Sequence, residues 1–347
     1  MKSVKNYLPE FSHIYIEEGA KNYQMTQVAL NSFPKAKNII IDDYKEVFNR
    51  TNQNIFFQQK SKKLIIAVKK YPYLYQGTDI LQDTKHRNVF YTTPLVNCVY
   101  HCDYCFLQGM YPSSNLVAFV NEEDFFTAVI KGIKKRKIKN EPLILSIAYN
   151  NDLLAFESKI PFCNSWIDFA SKQKNLIVEI RTKSSNITQI KNIDSNNNVI
   201  FAWTLTPNEI RKNYEKLTPT LDRRLSAITV MISKGWNVRL CVDPVIYVKN
   251  WKYIYSKFFE TIFSKLNDKD IMDMVIGTFR MNKDYFGRIR KQNPKSELFY
   301  KSYHQSNGII EPPTLIQNEI KTELKKILKN YISLNKIYFW ESETKTK

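Results

Sequence analysis

The residues Cys98-Val-Tyr-His-Cys102-Asp-Tyr-Cys105 (CVYHCDYC) decide how this chain is read. Three cysteines stand with three residues between the first pair and two between the second. As buried small hydrophobes they would be badly placed, with His101 and Asp103 among them. As zinc ligands they would need His101 as the fourth. His101 directly precedes Cys102, which makes joint chelation of one tetrahedral ion awkward, and no second ligand pair follows at finger spacing. A disulfide framework is poor material for an odd count of five cysteines. Three thiolates can instead hold three irons of a four-iron cubane and leave the fourth iron open to a ligand.

Outward from the loop, strand and helix patterns alternate. Residues 89–92 read as a short strand entering the loop. Residues 122–134 carry Phe125, Phe126, Val129, Ile130 and Ile133 at helical spacing. Strand-like runs follow at 143–148, 176–181, 199–205, 238–242 and 274–278. Helical patterns lie between them at 166–171, 222–233 and 251–266. That alternation predicts an α/β fold with a parallel sheet and right-handed crossovers, closed or partly closed as a barrel of about six units. In such folds the chemistry sits at the C-terminal ends of the strands. Residues 1–80 read as a small α/β lead-in, with strand-like runs at 14–16, 38–41 and 63–68. Residues 81–295 read as the barrel. Residues 296–347 read as an extension, with a Lys-rich amphipathic helix over 315–334 and a short strand at 336–340.

The spacing CxxxCxxC after a first barrel strand resembles the radical S-adenosylmethionine (SAM) enzymes, and its surroundings resemble one family among them, the spore photoproduct lyases. Residues 98–108 read CVYHCDYCFLQ, followed by Phe119-Val-Asn121. The resemblance runs nearly the whole chain. It includes His13-Ile-Tyr-Ile-Glu17, the basic pair ending residues 64–69, Arg181-Thr182-Lys183, Leu221-Asp222-Arg223-Arg224, Pro244, Trp251 and Arg280. It implies a partial (β/α)6 barrel of the radical SAM type. It also implies a [4Fe–4S] cluster on Cys98, Cys102 and Cys105, SAM as the second cofactor, and reversal of a thymine dimer in DNA through a 5′-deoxyadenosyl radical. Tyr104 would lie against the SAM adenine and near the substrate path. Lys183 would meet the SAM carboxylate. Asn151 and Thr204 stand where the family has further polar SAM contacts, Thr204 replacing a serine. A flavodoxin or ferredoxin would supply electrons.

Three positions depart from that family. Its hydrogen-donating cysteine is replaced by Tyr149, within Ala148-Tyr-Asn-Asn151-Asp152. The tyrosine after its third cluster cysteine is here Phe106, which has no exchangeable hydrogen, so Tyr104 alone survives of the expected relay. Its basic hairpin matches residues 300–308, YKSYHQSNG, which are less basic. Either Tyr149 donates hydrogen in place of the thiol, or the scaffold runs a radical reaction on another nucleic-acid or small-molecule substrate. Cys163 and Cys241 are the other thiols available as a relocated donor, or are buried structural residues.

The 347 residues carry 52 Lys and Arg against 33 Asp and Glu, a net charge of +19, which favours a polyanionic partner such as nucleic acid. Genome-wide base composition, which also enriches Asn and Ile, is the competing explanation of the lysines. Residues 134–139 (KKRKIK) read as a phosphate contact or, more plainly, as a solvated helix end. No run approaches the ~20 apolar residues of a membrane span, and residues 1–19 lack a signal-peptide pattern. A cytoplasmic protein is expected. No Walker A or Rossmann glycine motif occurs, and the oligomeric state is not legible.

Overall fold

The computed structural model describes residues 8–77 and 86–340. The expected boundary at residues 80 and 81 lies outside the described residues, as do 1–7 and 341–347. The main sheet has eight strands: β1 (Tyr75–Gln76), β2 (Val89–Tyr91), β3 (Leu143–Ser146), β4 (Leu176–Thr182), β5 (Val199–Thr204), β6 (Asn237–Val245), β7 (Asp273–Thr278) and β8 (Ile337–Phe339). Their order in space is their order along the chain. From β2 to β8 every pairing is parallel, and β1 adds an antiparallel edge. The two ends do not pair with each other, so the sheet is a curled half-barrel, as the alternating pattern predicts. β3 and β5 are buried at every position, as parallel strands covered on both faces must be.

The crossover helices bury one face each. The helix Glu122–Lys135 places Phe125 and Val129 inward. Its first turn holds Glu122, Glu123 and Asp124 and its last Lys134 and Lys135, charges that complement the helix dipole. The basic run after it closes that helix: Arg136 donates to the carbonyls of Ile133, Lys139 and Glu141. The C-terminal helix, Thr314–Leu328, stops earlier than its periodicity suggests, and Ile332 just beyond it packs into the core.

A second sheet has five strands in the order Lys37–Ile41, His13–Glu17, Leu64–Ala67, Leu116–Phe119, Leu95–Val96. The first eighty residues supply three of these strands, and the chain on either side of the cysteine loop supplies the other two. The loop therefore leaves this sheet at Val96 and returns to it at Leu116, while β2, just upstream, belongs to the half-barrel. That connectivity pins the loop where the two sheets meet.

Inside the half-barrel, period-two alternation points Glu179, Arg181, Arg239, Asp243 and Asp273 to one face. They form an ion-pair ladder. Arg239 reaches Glu179 and Asp273, each at 2.6 Å, and Arg280 reaches Asp243 at 2.8 Å. Pairing across neighbouring strands lets these charges lie within a core. A small three-stranded sheet joins Met281–Asn282 to a hairpin, His304–Ser306 and Ile309–Glu311. The hairpin turns at Asn307-Gly308, both at positive φ (50° and 76°), the chemistry such a two-residue turn requires.

Candidate active site

A cavity of about 410 Å³ opens at the C-terminal ends of the half-barrel strands. Cys98, Cys102, Cys105, Tyr104, Tyr149, Asn151, Lys183 and Thr204 all line it. Residues more than a hundred positions apart thus meet in one cavity, because the polar ones each follow or end a neighbouring strand: Tyr149 and Asn151 after β3, Lys183 after β4, Thr204 closing β5. The parallel order of the sheet does the gathering.

Side chains and a short ladder hold the cysteine loop. Asn97, at positive φ, donates to the carbonyls of Ser113 and Asn115 at 2.8 and 2.7 Å. The Lys62 ammonium, buried beneath the loop, donates to the Cys98 carbonyl at 2.6 Å. Gln108 donates to the Cys102 carbonyl. The strand His101–Cys102 pairs antiparallel with Glu215–Lys216. Lys62 and the 215–216 strand were not singled out from the sequence.

His101 is buried beside Phe56 and does not line the cavity. Burial, helped by Lys62 and Lys216, pushes its pKa down to about 4. Among the described residues no three His, Cys, Asp or Glu side chains converge on a single metal ion. A cubane asks for something else, one thiolate on each of three irons, so its ligands need to share a cavity rather than a point. The three thiols do share one. Burial drives the Cys98 thiol up to about 12 and raises Cys102 and Cys105. Thiolates there need a compensating cationic partner, and Lys62 and Lys183 stand close enough to affect them electrostatically. The residues present fit such a cluster.

Next to the thiols lies a buried polar knot. Glu215, wholly buried, accepts hydrogen bonds from the Tyr104 hydroxyl, from Thr206 at 2.6 Å and from Arg224 at 2.5 Å. Burial alone would raise its pKa, but Arg224, Lys183 and these hydroxyls hold it down to about 2. Tyr104 therefore gives its phenol hydrogen to a carboxylate, while the Lys183 ammonium sits 5.4 Å from the centre of its ring. A sequence signal for this knot exists. Arg224 shares a helical stripe with Leu221, Leu225 and Ile228, and an arginine on an apolar stripe needs a buried partner.

The remaining wall is ordered by Asp152, whose carboxylate accepts from the Lys183 amide at 2.7 Å and the Thr182 hydroxyl at 2.6 Å. Asn151 donates to the carbonyls of Leu95 and Ile147, and its side-chain oxygen, also buried, has no partner among the described residues. A buried acceptor left open at a cavity is a place for a ligand donor. The Tyr149 ring lies between Tyr91 and Phe106, at 4.7 and 5.5 Å. The two thiols outside the loop lie elsewhere. Cys163 is buried in the helix Phe162–Ser171, and Cys241 is buried with Ala202 and Val275 inside the half-barrel. Neither lines the cavity.

Comparison with known proteins agrees with this fold. The family model described as spore photoproduct lyase matches residues 7–340. The chain belongs to the spore photoproduct lyase family. That is a family of enzymes. The spore photoproduct lyase of Clostridium acetobutylicum is 23% identical over 296 residues, covering 83% of this chain and 84% of the relative. That of Bacillus subtilis is 22% identical over 296 residues, covering 82% and 83%. In fold, the chain resembles a solved spore photoproduct lyase complexed with dinucleoside spore photoproduct, with a TM-score of 0.81, 17% identity and coverage of 97% and 99%. It also resembles a doubly substituted spore photoproduct lyase with bound AdoMet and dinucleoside spore photoproduct, with a TM-score of 0.80, 18% identity and the same coverage. Among the described residues no helix is long and apolar enough to cross a membrane.

Proposed function

We propose that this protein reverts spore photoproduct in DNA with a [4Fe–4S] cluster and SAM, and that Tyr149 replaces the family's cysteine as hydrogen donor. The observation that carries this is the single cavity on which the three loop cysteines, the polar residues of the strand ends and Tyr149 meet, with Cys163 and Cys241 walled off. Cys98, Cys102 and Cys105 hold the cluster, which with SAM supplies a carbon radical able to take hydrogen from an unactivated C–H bond. Lys183 meets the SAM carboxylate, with its backbone fixed by Asp152. Asn151 offers its open oxygen and Thr204 its hydroxyl to the same ligand. Tyr104, with its hydroxyl committed to Glu215, forms a wall against the adenine. Tyr149 gives its phenol hydrogen to the substrate radical. A flavodoxin or ferredoxin supplies electrons, and the reaction belongs to the cytoplasm.

Of the expected regions 1–80, 81–295 and 296–347, the first buttresses the cysteine loop through the strands His13–Glu17 and Leu64–Ala67, and the last gives the hairpin beside Met281–Asn282 and the closing half-barrel strand Ile337–Phe339. One observation favours a second reading. Phe106 and Tyr149 change two of the family's three hydrogen-carrying positions at once, as a different nucleic-acid or small-molecule substrate would allow. Anaerobic reconstitution with iron and sulfide, then dithionite, SAM and dinucleoside spore photoproduct, separates the two. Thymidine dinucleotide formed together with 5′-deoxyadenosine supports the lyase. 5′-Deoxyadenosine alone moves the reaction to another substrate. One zinc per chain and no iron would overturn both. Tyr149→Phe is expected to keep SAM cleavage and to lose at least tenfold in product, and an unchanged product yield removes Tyr149 from the mechanism.

A further inference from the structure

Tyr149 is the inner end of a row of phenols. Its ring contacts Tyr91 at 4.7 Å between centroids, and Tyr91 stacks on Tyr75 at 5.1 Å with the planes 16° apart. The backbone sets these contacts. Tyr75 and Tyr91 are cross-strand partners of β1 and β2, and Tyr91 lies opposite Ser146 at the end of β3, just before Tyr149. The row therefore runs from the cavity, which Tyr149 and Tyr91 line, to Tyr75 on the edge strand, outside the cavity lining. On its other side Tyr149 meets Phe106, a hydrocarbon ring, and the Tyr104 hydroxyl is taken by Glu215. Outward from the cavity the rings in contact are all phenols, and at the end of the row the Tyr75 hydroxyl donates to the Pro72 carbonyl at 2.9 Å.

We infer that Tyr149, Tyr91 and Tyr75 form an outward hydrogen relay, quenched at the sheet edge by a small-molecule thiol, so that SAM is consumed at each turnover. This rests on the reading of Tyr149 as donor. In the first transfer the Tyr149 O–H bond breaks and a C–H bond forms on the substrate radical. The Tyr149 phenoxyl then takes the hydrogen of Tyr91, and the Tyr91 phenoxyl that of Tyr75. The thiol S–H bond gives its hydrogen to Tyr75, and two thiyl radicals from two turnovers join as one disulfide. The substrate radical is reduced, the thiol is oxidised and all three tyrosines are restored. Burial, reinforced by Tyr149 and Tyr75, raises the Tyr91 pKa, so its phenol keeps the proton to be passed on. The Lys69 ammonium, 5.7 Å from the Tyr75 ring centre, disfavours a positively charged ring there, so electron and proton leave together.

The path can be read without cluster or substrate. 3-Aminotyrosine, a phenol more easily oxidised than tyrosine, is placed at position 149 of the apo-protein, and a ruthenium flash-quench oxidant acts from bulk solution. An aminotyrosyl EPR signal is expected, falling at least severalfold on Tyr91→Phe, which keeps the ring and removes the hydroxyl. An equal signal in that variant overturns the relay. In the loaded enzyme with SAM, reductant, thiol and dinucleoside spore photoproduct, Tyr91→Phe and Tyr75→Phe are each expected to stop after about one product per chain. The unsubstituted protein is expected to release one 5′-deoxyadenosine per product. Undiminished multiple turnover in both variants overturns the relay while leaving Tyr149 as donor. Undiminished product in Tyr149→Phe overturns the donor reading itself.

Discussion

Glu215 is fully buried, and it touches both the cysteine loop and the polar wall of the cavity. Its backbone pairs with Cys102, and its carboxylate binds Tyr104, Thr206 and Arg224. Glu215→Ala leaves the wholly buried Arg224 guanidinium without its counter-ion, which costs about 3–5 kcal/mol. Urea denaturation should show that loss, and a change below about 1 kcal/mol would mean that the knot relaxes around the gap. The cysteines make a different prediction. Each of Cys98→Ala, Cys102→Ala and Cys105→Ala should fail to retain the roughly four irons of a cubane after reconstitution and should form no 5′-deoxyadenosine. The same substitution at Cys163 or Cys241, both outside the cavity, should retain iron. Iron retained in any of the first three would mean that the ligands are misassigned.

At the scale of elements, the short helix Leu107–Met110 that ends the loop packs against the helix Lys283–Gln292 at Gly109. A Cβ on Gly109 would stand 2.6 Å from the Cα and carbonyl oxygen of Tyr285, which are backbone atoms that cannot step aside. Gly109→Ala therefore forces the helices apart, at about 1–3 kcal/mol for overpacking. A lowered urea midpoint would record it, and because Tyr285 lines the cavity, SAM cleavage should fall as well. An unchanged midpoint would mean that the contact is looser than it looks. The half-barrel strands and the crossover helices at 122–134, 222–233 and 251–266 were legible as elements because apolar periodicity reports directly on which face is buried, while Gln24–Ser32, Asn208–Tyr214 and Lys283–Gln292 were not singled out. The pairing of Leu116–Phe119 and Leu95–Val96 with the N-terminal sheet was not, since a short apolar run carries no record of which sheet it joins.

For the molecule as a whole, the net charge of +19 belongs to the substrate reading. Binding to a lesion-bearing oligonucleotide, followed by fluorescence anisotropy, should weaken about a thousandfold between 50 and 200 mM salt if roughly six phosphates are engaged. A flat salt response would assign the lysines to composition rather than to DNA. By itself, the sequence determined the half-barrel class and the cysteine loop, while the wall residues came from its resemblance to a known family. Cysteine spacing and strand–helix alternation are local patterns, and local patterns survive in one dimension. Only the tertiary structure decided that Cys163 and Cys241 are shut away from the cavity. The same is true of the Tyr104 hydroxyl bound to Glu215, of Lys62 beneath the thiols, and of Tyr149 continuing into Tyr91 and Tyr75. Those facts depend on which strands lie side by side and which way each side chain points, and both are set by long-range packing rather than by neighbours in the chain.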